Sequence, residues 1–342
     1  MRILLLFLFL SLPALANEKV PDNFRQIMRD AIIEISAYAH DRNPRFMVLA
    51  RNGLELATKS KWETMREEIM DPIGVNEDKR VPTGYLMRPY VRALDGIVQD
   101  GLFCGGEAFD KPTSDASKKH LLQMSGQVAA LGKVILAIDY CKDPKLVSAA
   151  YKEAAQHKYL LMMDQSGKRL LDNLAPAQHP YNENPDHISS LVGAKNFLAF
   201  LNSRKLGNKG QFLVAMTKLN HDIVIIDPLH TSGIEPLTAK EVYQLKFKRL
   251  GSQRKVIAAL SMAKADTFRP YWQRNWEMGN PDWLAAPSPN DQDRYVTKYW
   301  VNDWKAIVGQ YVKWIVDIGF DGIMLDDVEA FQYFEAMYPL DE

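Results

Sequence analysis

The sequence predicts an α/β fold: a (β/α)8 TIM barrel formed by a single domain. Eight short apolar runs, bounded by polar residues or glycine, are typical of buried parallel strands. Helical patterns lie between most of the runs, and a chain of 342 residues is long enough for eight such units. The alternative is an open doubly wound sheet, although no glycine-rich nucleotide fingerprint follows any run. The runs are residues 46–50, 93–98, 134–140, 159–163, 197–201, 223–226, 256–260 and 322–325.

Two helices have the clearest patterns. Residues 24–38 carry apolar side chains at three- and four-residue spacing after Pro21, which predicts an amphipathic helix with proline near its first turn. Residues 302–318 repeat this spacing and end at Gly319, a typical C-terminal stop. By contrast, residues 176–185 form the most loop-like interior stretch and separate the fourth run from the fifth.

The composition excludes several classes of protein. The 42 basic residues balance 42 acidic ones, so the charge favours no nucleic-acid partner. Two cysteines are too few for a disulfide-stapled miniprotein or a four-cysteine zinc module. The chain contains no P-loop, H-E-x-x-H or G-x-S-x-G motif, and its seven histidines show no ligand spacing. We therefore expect neither a metal nor another cofactor.

The first residues have the pattern of a secretory signal peptide. Met1-Arg2 precedes an apolar run over residues 3–12, and Ala14-Leu15-Ala16 matches a cleavage site. This predicts a signal peptide over residues 1–16, cleaved after Ala16, and a barrel over residues 17–342. The alternative, an uncleaved anchor, needs a longer run to cross a bilayer of ~30 Å. We expect an exported protein, periplasmic or extracellular, without a membrane span.

The two cysteines follow neighbouring strand candidates. Cys104 comes after the second run and Cys141 after the third, so both are expected at the same end of the barrel. An exported protein is in an oxidising medium, where that arrangement allows a disulfide. The alternative is two separate thiols.

Acidic residues follow several of the predicted strands. Asp139, Asp227, Asp266 and Asp326 lie at or shortly after the third, sixth, seventh and eighth runs. Barrel enzymes hold their catalytic groups at these carboxyl ends, and glycoside hydrolysis uses one protonated and one ionised carboxyl group. Each aspartate alone could instead cap the next helix, since aspartate is a preferred N-cap residue.

Six of the seven tryptophans lie between residues 272 and 314. Indole rings stack on the apolar faces of sugars, which gives binding without net charge. Trp304 and Trp314 lie on or near the apolar face of a predicted helix, and we expect them in the core. Trp272, Trp276 and Trp283 lie in a long loop after the seventh strand, where a sugar-binding role is expected.

Three blocks of sequence resemble glycoside hydrolase family 114, the endo-α-1,4-polygalactosaminidase-like proteins once described as relatives of cysteinyl-tRNA synthetase. They are residues 261–272, residues 295–305 and, most specifically, Gly319-Phe320-Asp321-Gly322-Ile323-Met324-Leu325-Asp326. The resemblance extends over nearly the whole mature chain, with further blocks at residues 43–56, 94–103, 132–141 and 194–227. It implies a secreted TIM-barrel enzyme that acts on a galactosamine-containing polysaccharide.

The order of the blocks differs from that family. There, the counterparts of residues 195–326 come first and those of residues 46–163 follow, so this chain resembles a circular permutation with its join in residues 176–185. Four places also depart from the family pattern. Ala263-Lys264 replaces Gly-Glu, Asp266-Thr267 replaces Glu-Asp, Arg51 replaces a glutamine, and Asp100-Gly101 replaces Glu-Asp.

The residues and the resemblance together predict a secreted glycosidase with Asp326 and Asp266 as its catalytic pair, in an order left open. Its partner is a polysaccharide or oligosaccharide containing galactosamine or a related amino sugar. The alternative is a catalytically impaired barrel that binds polysaccharide or a partner protein; the sequence leaves the oligomeric state open. Further residues expected around the substrate are Asp227, Asp139, Tyr140, Lys264, Arg269, Asn52, Asp100, Trp272 and Trp276.

Overall fold

Eight parallel strands form a nearly closed barrel in the computed structural model, with helices around it. The structure describes residue 21 and residues 23–74, 77–167, 169–174, 179–230, 235–289 and 291–339. In chain order the strands are β1 (Met47–Arg51), β2 (Gly96–Asp100), β3 (Val134–Asp139), β4 (Leu160–Met163), β5 (Phe197–Phe200), β6 (Ile223–Ile226), β7 (Leu229–His230), β8 (Glu235–Pro236), β9 (Lys255–Ser261), β10 (Lys264–Asp266), β11 (Leu284–Ser288), β12 (Asp291–Thr297) and β13 (Gly322–Asp326). The helices are α1 (Phe24–Arg42), α2 (Lys61–Met70), α3 (Arg88–Ala93), α4 (Asp115–Ala129), α5 (Pro144–His157), α6 (Lys209–Thr217), α7 (Ala239–Leu245), α8 (Asn302–Asp317) and α9 (Phe331–Met337).

The barrel strands are hydrogen-bonded in the order β4-β3-β2-β1-β13-β9-β6-β5. The two outer strands, β4 and β5, lie side by side without a backbone ladder. There, the backbone N–H of Ala199 on β5 contacts the sulfur of Met162 on β4 at 3.1 Å. We call this junction the seam. The eight predicted strands are thus confirmed as one barrel-like parallel sheet.

The first and last strands are neighbours. Val48 of β1 pairs with Ile323 of β13, and Leu49 pairs with Gly96 of β2. A Cβ atom at Gly322 would come within 2.5 Å of the carbonyl oxygen of Met47, so only glycine allows this close pairing. The first and last of the described strands therefore pair with each other within the barrel.

Alternate residues of each strand enter two apolar layers. In β1, Met47 and Leu49 point into the barrel interior, whereas Val48 and Ala50 pack against the surrounding helices. The helical layer includes Ile32 of α1. Because both faces of the strands are covered, the strands read as continuous apolar runs in the sequence.

Both predicted helices are present. Helix α1 begins after Asn23, whose side chain accepts a hydrogen bond from the N–H of Gln26, so Pro21 lies before its first turn. It packs against α3 and α8, the helices that precede β2 and β13, and so covers the outside of β1. Helix α8 buries Trp304 as expected, while Trp314 is partly buried.

The second strand begins later than the predicted run of residues 93–98. Ala93 ends helix α3, in which Tyr90 and Val91 are buried. The carboxylate of Asp95 then accepts a hydrogen bond from the N–H of Val48 at 2.8 Å, and β2 starts at the next residue. The apolar side chains before Asp95 thus belong to a short core helix, which periodicity alone does not distinguish from a strand.

The connection across the seam differs from the others. Between β4 and β5 the described residues contain a short 3-10 turn, Leu191–Gly193, and no α-helix. A buried ion pair anchors this connection, because Lys248 donates to Asp222 at 2.5 Å and to the carbonyl of Asp186 at 2.8 Å. The predicted loop over residues 176–185 lies here, although residues 175–178 fall outside the described part.

The predicted signal peptide, residues 1–16, also lies outside the described residues. None of the helices in the described ranges has the length and apolar composition needed to cross a membrane.

Of the two alternatives that the sequence leaves open for the cysteines, the structure has the disulfide between Cys104 and Cys141. The two Cα atoms are 6.1 Å apart, and the bond joins the loop after β2 to the loop after β3. The backbone N–H of Cys104 also donates to Asp139 at 2.9 Å. Both contacts fix the loops at the carboxyl end of the barrel.

Replacing both cysteines by serine should lower the free energy of unfolding by about 3 kcal/mol, because the crosslink restricts the unfolded chain. Urea unfolding with and without reductant measures this. Reductant should weaken the wild type by the same amount and leave the double variant unchanged. Two thiols that titrate in the denatured, unreduced protein would contradict the disulfide.

Candidate active site

A polar cleft of about 450 Å³ lies at the carboxyl ends of the barrel strands. Both predicted catalytic carboxylates line it: Asp326 ends β13, and Asp266 ends the short strand β10 that follows β9. Asp227, directly after β6, lines the same cleft. Among the described residues, five aspartates and five arginines contribute to its walls. The arginines are Arg51, Arg169, Arg204, Arg269 and Arg294.

Arg51 connects two strand ends. Its guanidinium donates to Asp326 at 3.0 Å and forms a two-point contact with Asp100 at 2.7 and 3.2 Å. Burial works against this positive charge, but the two carboxylates outweigh it and raise the pKa of Arg51 well above its usual value. Asp100, which was expected around the substrate, is not part of the cleft wall; both of its oxygens bind Arg51.

Arg269 connects a second pair of carboxylates. It contacts both oxygens of Asp227 at 2.9 and 2.8 Å and one oxygen of Asp266 at 3.0 Å. Burial raises the pKa of Asp227 despite this partner. The predicted residues Asp227, Asp266 and Arg269 therefore meet in one network at the cleft wall.

A third arginine, Arg294 on β12, links the cleft to a deeper carboxylate. It donates to Asp266 at 2.7 Å and to Asp327 at 2.5 Å. Lys264 pairs with Asp327 at 2.8 Å, so it does not pair with either predicted catalytic aspartate. Burial disfavours the charge on Asp327, but Arg294 and Lys264 outweigh burial and hold the pKa of Asp327 well below its usual range.

Glu329 lies next to these charges, directly after β13. Its Oε2 atom is buried and has no hydrogen-bond partner among the described residues. Burial, followed by the charges of Asp327 and Asp326, raises the pKa of Glu329 to about 8. At neutral pH this carboxyl group therefore carries a proton beside an ionised neighbour.

Three predicted substrate-binding residues are turned into the protein instead of the cleft. Asp139 is buried and accepts hydrogen bonds from the N–H groups of Phe103 and Cys104, and burial raises its pKa to about 7. Asn52 accepts from the N–H of Asp100 at 3.0 Å. Tyr140 is buried, with its hydroxyl 3.4 Å from Arg51. All three hold loops and strand ends in place.

The loop tryptophans pack against one another and do not line the cleft. Trp272 contacts Trp276 with ring centroids 5.6 Å apart, Trp276 contacts Trp283 at 5.0 Å, and Trp283 contacts Trp304 at 5.0 Å. The first two contacts are edge-to-face, and they leave Trp272 and Trp276 partly buried beside the buried Trp283. The structure therefore does not place Trp272 and Trp276, which were expected around the substrate, in the cleft wall.

Several cleft residues were not among the predicted ones, notably Arg169, Arg204 and Arg294. Arg294 lies in an alternating charged strand, which is the pattern that could have suggested a polar sheet face. Arg169 and Arg204 follow β4 and β5 without any motif. Within the described residues, no cluster of three or more His, Cys, Asp or Glu side chains has the geometry to hold a metal ion.

The fold and the site define a barrel-like α/β protein with a charged cleft at the carboxyl ends of its strands. No protein-family model matches the chain. Parts of it align with uncharacterized proteins at 38% identity over 77 residues in Thermotoga maritima, 33% over 111 residues in Deinococcus radiodurans and 31% over 150 residues in Methanocaldococcus jannaschii.

The aligned parts cover 22%, 32% and 44% of this chain and 24%, 34% and 42% of those three proteins, respectively. The chain thus spans less than half the length of these relatives.

The raised pKa of Glu329 predicts a pH-dependent contribution to stability. The folded protein keeps a proton up to about pH 8, whereas an unfolded glutamate releases it near 4.5. The contribution of Glu329 is therefore complete below 4.5 and is lost as pH rises through 8, by at most about 1.4 kcal/mol per pH unit. Urea unfolding across this range should show the wild type losing stability relative to Glu329→Gln. Parallel curves for the two proteins would contradict this prediction.

Proposed function

We propose that this protein is an exported glycoside hydrolase that cleaves a galactosamine-containing or related amino-sugar polysaccharide. One observation carries the proposal: Asp326 and Asp266 line the same cleft at the carboxyl ends of the strands. Its volume of about 450 Å³ suits a short stretch of saccharide. The disulfide between Cys104 and Cys141 supports export, because such bonds persist in oxidising compartments.

In this proposal one aspartate gives a proton to the leaving sugar oxygen, and the other attacks the sugar or activates water. A carboxyl separation of ~5 to 5.5 Å corresponds to retention of configuration, and ~6.5 to 9.5 Å to inversion. Arg269, which also binds Asp227, orients Asp266, and Arg51 orients Asp326. Which aspartate acts as the acid remains open in the proposal.

The second candidate function is saccharide or protein binding without turnover. A specific observation favours it: Asp326 is ion-paired with Arg51, and Asp266 is paired with both Arg269 and Arg294. Arginines donate to both oxygens of Asp266 and to one oxygen of Asp326, so a substrate must displace these donors before either carboxylate can take part in proton transfer. Arg51 is also one of the positions that depart from the family pattern.

Cleavage of a galactosamine polymer distinguishes the two functions. The purified protein is incubated with partly de-N-acetylated α-1,4-polygalactosamine, and new reducing ends and binding are both measured. The wild type should release reducing ends, and Asp326→Asn should lower the rate at least about 100-fold. Asp41→Asn, an exposed change on α1, is the matched control and should keep full activity.

Binding without new reducing ends in either protein would instead support the non-catalytic candidate. Absence of both binding and cleavage with this polymer would count against the proposed substrate.

We also propose that the chain is a circular permutation of the family's barrel. The described ends meet: Phe24 stacks on Phe334 with ring centroids 5.5 Å apart, and Arg25 pairs with Glu335 at 2.7 Å. The proposed join coincides with the seam, where the strand ladder is interrupted and the described connection lacks an α-helix. Former chain ends at the seam would account for both features.

A chain rearranged into the family's order tests this proposal. It begins at residue 186, runs through residue 339, continues through a short glycine-serine linker to residue 21 and ends at residue 174. Because the joined ends are neighbours, the rearranged chain should fold cooperatively, with a melting temperature within about 10 °C of the wild type. A rearranged chain without a cooperative melting transition would contradict the proposal.

A further inference from the structure

Two arginines of the cleft differ from the other three. Arg51, Arg269 and Arg294 each contact two carboxylates. Arg169 and Arg204 line the same cleft, but neither forms an ion pair in the part of the chain that the structure describes. Both are exposed, so their charges face the space that a ligand would occupy.

Aromatic rings hold both guanidinium groups. The guanidinium carbon of Arg169 lies 4.5 Å from the ring centroid of Tyr140, and its Nη2 donates to the carbonyl of Gly106 at 2.8 Å. Arg204 lies 5.1 Å from the ring centroid of Phe268. Stacking of this kind orients a guanidinium without neutralising it, so less conformational entropy is lost when a ligand binds.

The inner carboxylates do not compete for these two charges. Asp326, Asp266 and Asp227 already have arginine partners. The remaining cleft aspartates, Asp291 and Asp293, belong to the β11–β12 hairpin, whereas Arg169 and Arg204 follow β4 and β5 on either side of the seam. The seam side of the cleft therefore presents positive charge.

We infer that Arg169 and Arg204 bind an acidic group of the saccharide, either the carboxylate of a uronic acid or a sulfate ester. A planar guanidinium donates two parallel hydrogen bonds to such oxygens, and both groups carry the charge that the seam side lacks. The inference rests on the proposed function for the statement that the ligand is a saccharide. It deepens that function, because the polymer then carries acidic sugars in addition to amino sugars.

Four α-1,4-linked oligomers of equal length test the inference: oligogalacturonate, its neutral methyl ester, a sulfated oligogalactose and oligogalactosamine. Calorimetry with the whole protein measures each Kd. The wild type should bind one of the two acidic oligomers at least about tenfold more tightly than the ester and the galactosamine oligomer. Whether the carboxylate or the sulfate binds identifies the acidic group. Added salt should weaken binding of the acidic oligomers and leave binding of the neutral ester unchanged.

Substitution locates the interaction. Arg169→Gln and Arg204→Gln should each weaken binding of the preferred acidic oligomer about tenfold and leave the Kd of the methyl ester unchanged. Arg45→Gln is the matched control, because it removes the same charge from an exposed arginine just before β1, at the opposite end of the barrel. Thermal melting of each variant shows whether its fold is retained.

Equal binding of the acidic oligomers and the ester, preference for oligogalactosamine, or an equal loss in Arg45→Gln would overturn the inference. Reducing-end assays on the same samples separate it from the proposed function. Acidic binding without cleavage of any oligomer or of polygalactosamine supports the inference and contradicts the hydrolase. Cleavage without tighter binding of the acidic oligomers supports the hydrolase and contradicts the inference.

Discussion

The parallel pairing of β1 with β13 determines how the site is built. Because parallel strands end on the same side of a sheet, this pairing brings Arg51 and Asp326 together from opposite ends of the chain. The same geometry applies around the barrel, and it concentrates carboxylates in a region of low exposure. Ionised groups that are partly removed from water need partners, and arginines supply them. The cleft is thus a network of shared charges instead of a set of independent acids.

Each connecting arginine stabilises two neighbouring carboxylates, and this role also constrains what the cleft can do. A guanidinium between two carboxylates reduces their repulsion, and removing it leaves two like charges in a poorly solvated region. Asp327 is the acid of this network whose ionised form is clearly favoured, because Arg294 and Lys264 outweigh its burial and lower its pKa. A ligand that binds the oxygens of Asp266 must compete with Arg269 and Arg294. Glu329 differs from these carboxylates in having no arginine partner among the described residues. Burial and the neighbouring negative charges raise its pKa, so it keeps its proton.

The barrel was largely predictable from the sequence, because strands buried on both faces produce apolar runs whatever their partners are. The boundary error at Ala93 arose where a short core helix has the same apolar signature. Site residues were predictable where position along a strand decides their location, as for Asp326, or where they lie in a block that resembles the family, as for Arg269. Asn52 and Asp139 turned inward because nearby backbone N–H groups, and not the strand end, determine their direction. Arg294 was missed because its partners lie 28 and 33 residues away, a relation that no local pattern carries.

The position of the seam between β4 and β5 couples ligand binding in the cleft to the stability of the barrel wall. Arg169 follows one seam strand and Arg204 follows the other, so a ligand that contacts both spans the junction where the described barrel has no backbone ladder. If one acidic ligand binds both arginines, as proposed, its binding adds to the cohesion of the barrel wall. Occupancy of the cleft would be detectable at a distance, as slower hydrogen exchange in the amides of β4 and β5. Hydrogen exchange at the seam would then report whether a ligand occupies the cleft.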